Sequence, residues 1–414
     1  MLGREELVSV EEAIKLLLNY APYKRPPENY FPIEKAFRMI ISRDIISPED
    51  LPSFNRSTVD GYAVKSSDTF GATESLPSYL KVKTEILMGE EPGFTLEKGE
   101  VAKIATGGML PKGADAVVMF EHTQCIDENM IEVIKPVSPG ENVIQTGEDV
   151  KKGEVILKAG HCLRPQDIGA LAGLGITCIW AYEKPKVSII STGDEVVSVD
   201  KSVKLGQVRD INSYTLSGLI AESGGDPIKK GIFSDQYEII KNVVKTSIND
   251  SEMVIISGGS SVGTKDVTAK VINDIGKPGV LFHGVSLKPG KPTIGGIIEN
   301  IPVFGLPGHP VAVHVCFELF IRPVLKILSG SDQVMTENKK RIIKAKIAKN
   351  ISSSPGREEH IGVVLEERDG ELWAIPLLGK SGLITTLTKA DGSAVIPLRK
   401  FGVHEGDYVD VRLF

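Results

Sequence analysis

The chain has 414 residues, 41% of them hydrophobic and 25% charged, with a formal net charge of −6. This is the composition of an ordinary folded protein of two to four domains; it excludes a disordered or low-complexity chain and argues against a general nucleic-acid or acidic-membrane partner, which would call for a basic face. Its four cysteines, Cys125, Cys162, Cys178 and Cys316, lack C-x-x-C spacing and read as buried reduced thiols; with no signal-peptide core and no run near ~20 apolar residues, a cytoplasmic address follows.

In chain order, Ser9-Val-Glu-Glu12 has the form of a capping box, and Val10, Ala13, Ile14, Leu17 and Leu18 share one helical face. Residues 1–24 are therefore expected to form a helix that packs on the linking or α/β region. A proline-rich stretch ends it. Within residues 51–149, short β-branched runs at 80–86, 101–104, 116–119 and 130–134 alternate with Gly and Pro turns, which predicts a small strand-rich domain. Residues 25–50 and 150–175 form a linking region, with a glycine-punctuated hairpin from Gly153 to Gly160 and a helix carrying Pro165 in its first turn.

Residues 176–330 alternate strand runs (186–191, 228–233, 253–257, 303–306) with helical patterns (213–222, 236–248, 266–275, 311–328). That alternation predicts a parallel α/β sheet with helices on both faces and a ligand site beyond the carboxyl ends of the strands. Residues 331–414 return to short strand runs and predict a small β-barrel. The fold class is α/β multidomain.

Glycine-rich loops cluster in the α/β region: Gly258-Gly-Ser-Ser-Val-Gly263, Lys288-Pro-Gly-Lys-Pro292 and Leu306-Pro-Gly-His-Pro310. Glycines let backbone N–H groups face an anion, and Lys288 and Lys291 stand in sequence with no acid beside them. The first loop has P-loop spacing but ends Thr264-Lys265, the inverse of a Walker motif, which excludes that assignment. It remains either a strand-to-helix turn or an anion nest. Asp266, at the expected start of the next helix, is an N-cap or a Mg²⁺ ligand. Ser191-Thr-Gly-Asp-Glu195 places two carboxylates at another strand end, and Asp210 and Asp235 follow the same pattern, so several acids can converge on one rim. By local chemistry alone, Phe54 to Ala63, Thr106 to Asp115 and Gly147-Glu-Asp149 are turns.

Taken together, Arg56-Ser-Thr-Val-Asp-Gly-Tyr-Ala63, Thr106-Gly107 with Pro111-x-Gly-Ala-Asp115, Gly147-Glu-Asp149, Ser191-Thr-Gly-Asp-Glu195, Ser257-Gly-Gly with Ser261-Val-Gly263, Lys288-Pro-Gly-Lys-Pro292 and Leu306-Pro-Gly-x-Pro310 closely resemble the molybdopterin molybdenumtransferase family, MoeA and the gephyrin E domain. The motifs are in family order and span most of the chain. The resemblance implies a homodimer with a linking region, a strand-rich domain, a molybdopterin-binding α/β domain and a C-terminal β-barrel. It implies Mg²⁺-dependent insertion of molybdate into adenylylated molybdopterin with release of AMP. The molybdopterin adenylyltransferase and cofactor-accepting enzymes are the further partners it suggests.

Carried over by residue, Asp60, Asp149, Glu195, Asp235 and Asp266 match family acids important for activity, with Asp60 and Thr106 expected from the partner subunit and Glu195 and Asp266 on the metal. Ser257, Gly258, Gly259, Ser261, Gly263, Gly290, Pro292, Pro307 and Gly308 match the substrate-binding loops. Lys288 and Lys291 match lysines near phosphate and molybdate, and Arg357 and Ser381 resemble oxyanion-binding residues of the barrel. His309 stands where the family more often has Asn, Ser260 replaces an apolar residue, and Gly284 falls where some members carry lysine.

Overall fold

The computed structural model describes residues 7–20, 25–258, 262–331, 341–377, 379 and 382–414, the side chains of residues 262–266 excepted. The chain divides into two compact units. One comprises Met1–Arg43, Ala159–Ile168 and Cys178–Phe414; the other comprises Asp44–Lys158 and Gly169–Thr177.

In the larger unit a six-stranded sheet runs in the order Asp226–Phe233, Lys186–Thr192, Met253–Gly258, Ile301–Leu306, Ile294–Ile298, Pro278–His283. The first four strands are mutually parallel. Ile294–Ile298 is antiparallel to both its neighbours, so the parallel sheet carries one reversed strand. The reversal is a two-residue hairpin at Glu299 and Asn300, both with positive φ (52° and 90°), the backbone that tight hairpins require. Gly295 lies within that strand, where a Cβ would fall 2.5 Å from the Phe282 ring.

Helices cover both faces, so the central strands are buried on both sides and mostly apolar rather than alternating. Along Met253–Gly258, Met253 and Ile255 face a core with Leu216, Leu219 and Ile220 of the helix Asn212–Glu222, together with Phe304 and Phe317. Val254 and Ile256 face a second core with Ile240 and Val244 of Tyr237–Asp250 and Val271 and Ile272 of Val262–Ile275. Each such side chain contributes about 1.5–3 kcal/mol by leaving water. The N-terminal helix Val10–Tyr20 joins the first core through Val10, Ala13 and Leu17, and the Ser9 hydroxyl accepts the Glu12 N–H at 3.1 Å, the capping contact.

The last helical stretch runs from Pro310 to Leu328 with a π turn at Phe317–Ile321. Pro323 has no N–H to donate to the preceding turn, which accounts for the widened backbone just before it. Arg322 and Glu318, both almost fully buried, pair across this turn at 2.6 Å.

The barrel closes through Ile342–Ile347, Glu358–Arg368, Glu371–Pro376, Gly392–Ile396 and Tyr408–Leu413 around Ala345, Ile347, Val363, Ile396 and Val411. Leu287–Lys288 of the α/β region adds as a short parallel strand beside Glu358 and Glu359. A helix, Ile384–Lys389, joins barrel strands and was not anticipated from the sequence.

The smaller unit holds a second six-stranded sheet, ordered Ala116–Met119, Gly61–Val64, Glu100–Ile104, Ser78–Glu85, Met130–Val133, Thr123–Asp127. Gly61–Val64 corrects the expected turn at Phe54 to Ala63: its four residues are all buried, so the run has no alternation to read. The Gly153–Gly160 hairpin is also corrected, since Val155–Leu157 pairs with Ile45–Ile46 instead. Asp115 binds the Ser66 N–H and hydroxyl at 2.6 and 2.8 Å, giving the Pro111-x-Gly-Ala-Asp115 motif a structural task.

All four cysteines are free thiols, but only Cys316 is buried. Cys125 is exposed on the outermost strand, where one face meets solvent. Burial pushes the Cys316 thiol up to about 12, against a hydrogen bond with the Thr293 hydroxyl that lowers it. Among the described residues no helix is long and apolar enough to cross a membrane.

Candidate functional site

The parallel strands of the larger unit end in register, Thr192 beside both Phe233 and Gly258, and Ser257 beside Leu306. The loops leaving these ends therefore share one rim. Gly258 is the close approach that makes the rim compact. Its φ is +142°, and a Cβ there would fall 1.8 Å from the Thr192 carbonyl oxygen and 2.7 Å from the Thr192 hydroxyl. No other residue fits that position without moving Thr192.

Beside Thr192 stands Asp235. Its Oδ1 is buried and has no hydrogen-bond partner. Burial raises the Asp235 carboxyl above its ordinary 3.8, the Thr192 hydroxyl opposes the rise, and the charges of Glu195 and Asp194 add to it. A carboxylate oxygen buried without a donor, facing two further carboxylates, is an arrangement that a cation relieves. The exposed Glu195 belongs to the turn that Gly193 makes possible at a φ of +134°.

Asp210, on the same rim, is different. Its Oδ2 accepts the Ser191 hydroxyl at 2.8 Å and its Oδ1 accepts the Ser213 N–H at 3.1 Å, so it caps the helix Asn212–Glu222 and pins a strand. Next to it Asn212 donates from Nδ2 to the Ser257 hydroxyl (3.0 Å) and to the Gly308 carbonyl (2.9 Å). Its Oδ1 is buried without a partner. These two bonds tie the first and third glycine loops together and leave an acceptor on the wall. Sequence reading missed Asn212, because an Asn at a helix start normally signals only a cap.

A 260 Å³ cavity lies at this rim, bordered by Glu195, Asp210, Asn212, Ser257, Gly258 and Gly308 and closed on the barrel side by Gly382. A larger 520 Å³ hollow near Lys201, Lys229 and Tyr214 has no glycine-loop residue in its wall. Two of its three lysines are engaged: Lys230 pairs with Asp250 at 2.8 Å, and Lys229 sits over the Tyr214 ring at 3.6 Å. The smaller cavity is therefore the better candidate.

The second loop departs from expectation at Lys288. No acid adjoins it in sequence, yet its Nζ lies 2.6 Å from Glu359 Oε1. Lys291 is exposed and has no carboxylate partner among the described residues. Gly290, with a φ of +122°, leaves space filled by Cys316 Sγ and Leu287, and its carbonyl accepts the Thr293 hydroxyl at 2.7 Å. Pro292 is half-buried, Pro307 is buried and Arg357 is half-buried at the start of the long barrel strand.

Asp266 is not an N-cap, because the helix already begins at Val262, with Gly263 in its first turn, and Asp266 lies a full turn inside. Its side chain, Gly259, Ser260, Ser261 and Ser381 lie outside the described residues. Among the described residues no group of three or more His, Cys, Asp or Glu has the spacing to hold a metal.

The smaller unit brings Asp60 and Thr106 together. Asp60 Oδ1 accepts the Thr106 N–H at 2.8 Å and its hydroxyl at 3.0 Å. The backbone bond, then the hydroxyl, hold this exposed carboxyl below its usual range. Asp149 is exposed, its N–H bound to the Leu51 carbonyl at 3.1 Å.

Three family models tile the chain: the MoeA N-terminal region (domains I and II) over residues 8–175, a molybdopterin-binding domain described as probable over 188–327, and the MoeA C-terminal region (domain IV) over 344–414. A molybdopterin molybdenumtransferase of Haemophilus influenzae is 31% identical over 411 residues, covering 99% of each chain. A Methanocaldococcus jannaschii protein assigned to molybdopterin biosynthesis is 39% identical over 389 residues, 92% of this chain and 91% of its own. The solved structure of a molybdopterin biosynthesis MoeA protein from Pyrococcus horikoshii covers 99% of this chain and 100% of its own, with 34% identity and a TM-score of 0.81. The chain belongs to the MoeA family of molybdopterin molybdenumtransferases, enzymes of molybdenum cofactor biosynthesis.

Proposed function

We propose that the protein inserts molybdenum, taken up as molybdate, into adenylylated molybdopterin in a Mg²⁺-dependent reaction that releases AMP, and that it works as a cytoplasmic homodimer. The observation that carries this reading is the buried, unpartnered Oδ1 of Asp235 beside Glu195 and Asp194 at the rim of the glycine loops. Its donors are hard carboxylate oxygens, the kind Mg²⁺ takes, and one or two carboxylates plus substrate phosphates and waters complete its usual shell. The residues therefore fit the ion. Glu195 and Asp235, with Asp266 from the following helix, would hold it. When bound, Mg²⁺ supplies positive charge to pyrophosphate oxygens and makes AMP a better leaving group.

The chain's own groups do the rest in this reading. The backbone from Ser257 to Gly263 and at Pro307 and Gly308 offers N–H groups to the phosphates, with the dipole of the helix Val262–Ile275 behind the first loop. Asn212 Oδ1 accepts a donor from the pterin side. Lys288, Lys291, Arg357 and Ser381 hold molybdate. Asp60, Thr106 and Asp149 serve the site from the second subunit, and the bond between Asp60 and Thr106 keeps that carboxylate ionised. The adenylyltransferase and cofactor-accepting enzymes remain the natural partners.

Incubation of the purified protein with adenylylated molybdopterin, Mg²⁺ and molybdate tests the reading. AMP and active cofactor are expected together, and only with the metal present. Tight pterin binding with no AMP would overturn catalysis in favour of a carrier, and release independent of divalent metal would remove Mg²⁺ from the account.

A further inference from the structure

A 660 Å³ cavity lies between the α/β region and the barrel, with Lys288, Glu359 and His309 in its wall, and His309 also borders the 260 Å³ cavity. The Lys288–Glu359 pair is asymmetric. The Lys288 side chain is 53% exposed, whereas that of Glu359 is 10% exposed. Glu359 is held at both oxygens, Oε1 by Lys288 Nζ at 2.6 Å and Oε2 by the Ser353 hydroxyl at 2.7 Å. Its backbone is fixed too, because Leu287–Lys288 and Glu358–Glu359 are neighbouring parallel strands. A short bond between an ammonium and an anchored, desolvated carboxylate is strong for that carboxylate, which has nowhere else to place its charge. The half-solvated lysine has two further N–H donors and water at hand.

This arrangement has a consequence for any dianion that uses Lys288. The ammonium is already neutralised by a carboxylate on the protein, while Lys291 has no carboxylate partner among the described residues. An incoming oxyanion meets the charge of Glu359 behind the lysine and competes for the same donor. We propose that Glu359 is an internal competitor for the oxyanion site: it occupies Lys288 in the free protein, sets the anion affinity of that lysine, and keeps weakly binding anions off it. Glu359 acts through Lys288 and is a positioning residue. The inference rests on the oxyanion role of Lys288 in the reading above.

Binding of inorganic molybdate to the full-length protein, by equilibrium dialysis at pH 7 and constant ionic strength, tests it without turnover. Glu359→Gln keeps the shape and the Ser353 contact while removing the charge. It is expected to bind molybdate on the order of fivefold more tightly than the unaltered chain. The gain should disappear when Lys288→Ala is made in both backgrounds. A purely structural role in joining barrel to sheet gives the opposite sign, weaker binding, so equal or weaker binding in a variant with an unchanged circular dichroism spectrum overturns the proposal. A gain that persists without Lys288 overturns it as well. If Glu359→Gln does not fold, Ser353→Ala, which loosens one anchor of the carboxylate, must shift binding in the same tightening direction or the proposal falls. Failure of AMP release by the unaltered protein bears only on the proposed function; the dialysis result bears only on the competition of Glu359 for Lys288.

Discussion

Asp210 and Asp235 stand at the ends of neighbouring chain segments on one sheet rim, and their surroundings are opposite. Asp210 is 8% exposed and both its oxygens are taken, by Ser191 and by the Ser213 N–H. Asp235 keeps one oxygen buried with no donor and sits among the charges of Glu195 and Asp194. The first is a carboxylate the fold uses. The second is one the fold tolerates, at a cost that a bound cation would offset. Residue type and position in the strand-helix pattern are the same for both, so only their partners separate a structural acid from the one proposed to be functional.

The largest effect should come from Gly258, which packs against Thr192, the hydroxyl partner of Asp235. Gly258→Ala puts a Cβ within 1.8 Å of the Thr192 carbonyl, and is expected to cost about 3–4 kcal/mol in denaturant unfolding and to abolish AMP release in the same protein. A substitution that left both intact would show that the strand ends do not pack as described. Asp235→Asn should lower the rate of AMP release by about a hundredfold, roughly 2.7 kcal/mol of barrier, with no loss of melting temperature. Asp210→Ala should do the reverse, losing about 2 kcal/mol of stability through the helix cap and the buried hydroxyl, while the rate per folded molecule stays near that of the unaltered chain. Equal kinetic damage from both would erase the distinction.

The smallest effect is the pH dependence of stability. The folded-state pKa of Asp235 is raised above its ordinary 3.8, mainly by burial, so the folded protein holds that proton more tightly than the unfolded chain. Its contribution to stability is therefore present below about pH 3.8 and declines as pH rises through the higher folded value. Asp60 is depressed by its Thr106 bonds, and its contribution is present at neutral pH and lost as pH falls through the lowered value. Melting temperatures of Asp235→Asn and Asp60→Asn, each compared with the unaltered chain across the acid range in metal-free buffer, should diverge in opposite directions. Parallel curves would refute the assigned shifts.

The strand-helix alternation of the α/β region was readable because buried strands such as Met253–Gly258 are continuous apolar runs bounded by glycine. Where packing replaced pattern, reading stopped. Gly61–Val64 is a buried strand too short to show a period, and Ile294–Ile298 contains Gly295, whose side-chain space the Phe282 ring occupies. The site divides in the same way. Strand-end loops announced Glu195, Gly258 and Gly308, since glycine and acid at a strand end are local features. The bridge of Asn212 to Ser257 and Gly308, and the hold of Glu359 on Lys288, are contacts between distant segments that no local spacing encodes. The motif order, rather than any one motif, pointed to the MoeA family, and the family models cover nearly the whole chain.

The most direct measurement is single-turnover AMP release from adenylylated molybdopterin by Asp235→Asn and by the unaltered protein, at matched folded concentration with saturating Mg²⁺ and molybdate. A fall of about a hundredfold beside an unchanged or higher melting temperature is expected if this carboxylate is held, unpartnered, for the reaction. A variant that releases AMP at the unaltered rate would contradict it.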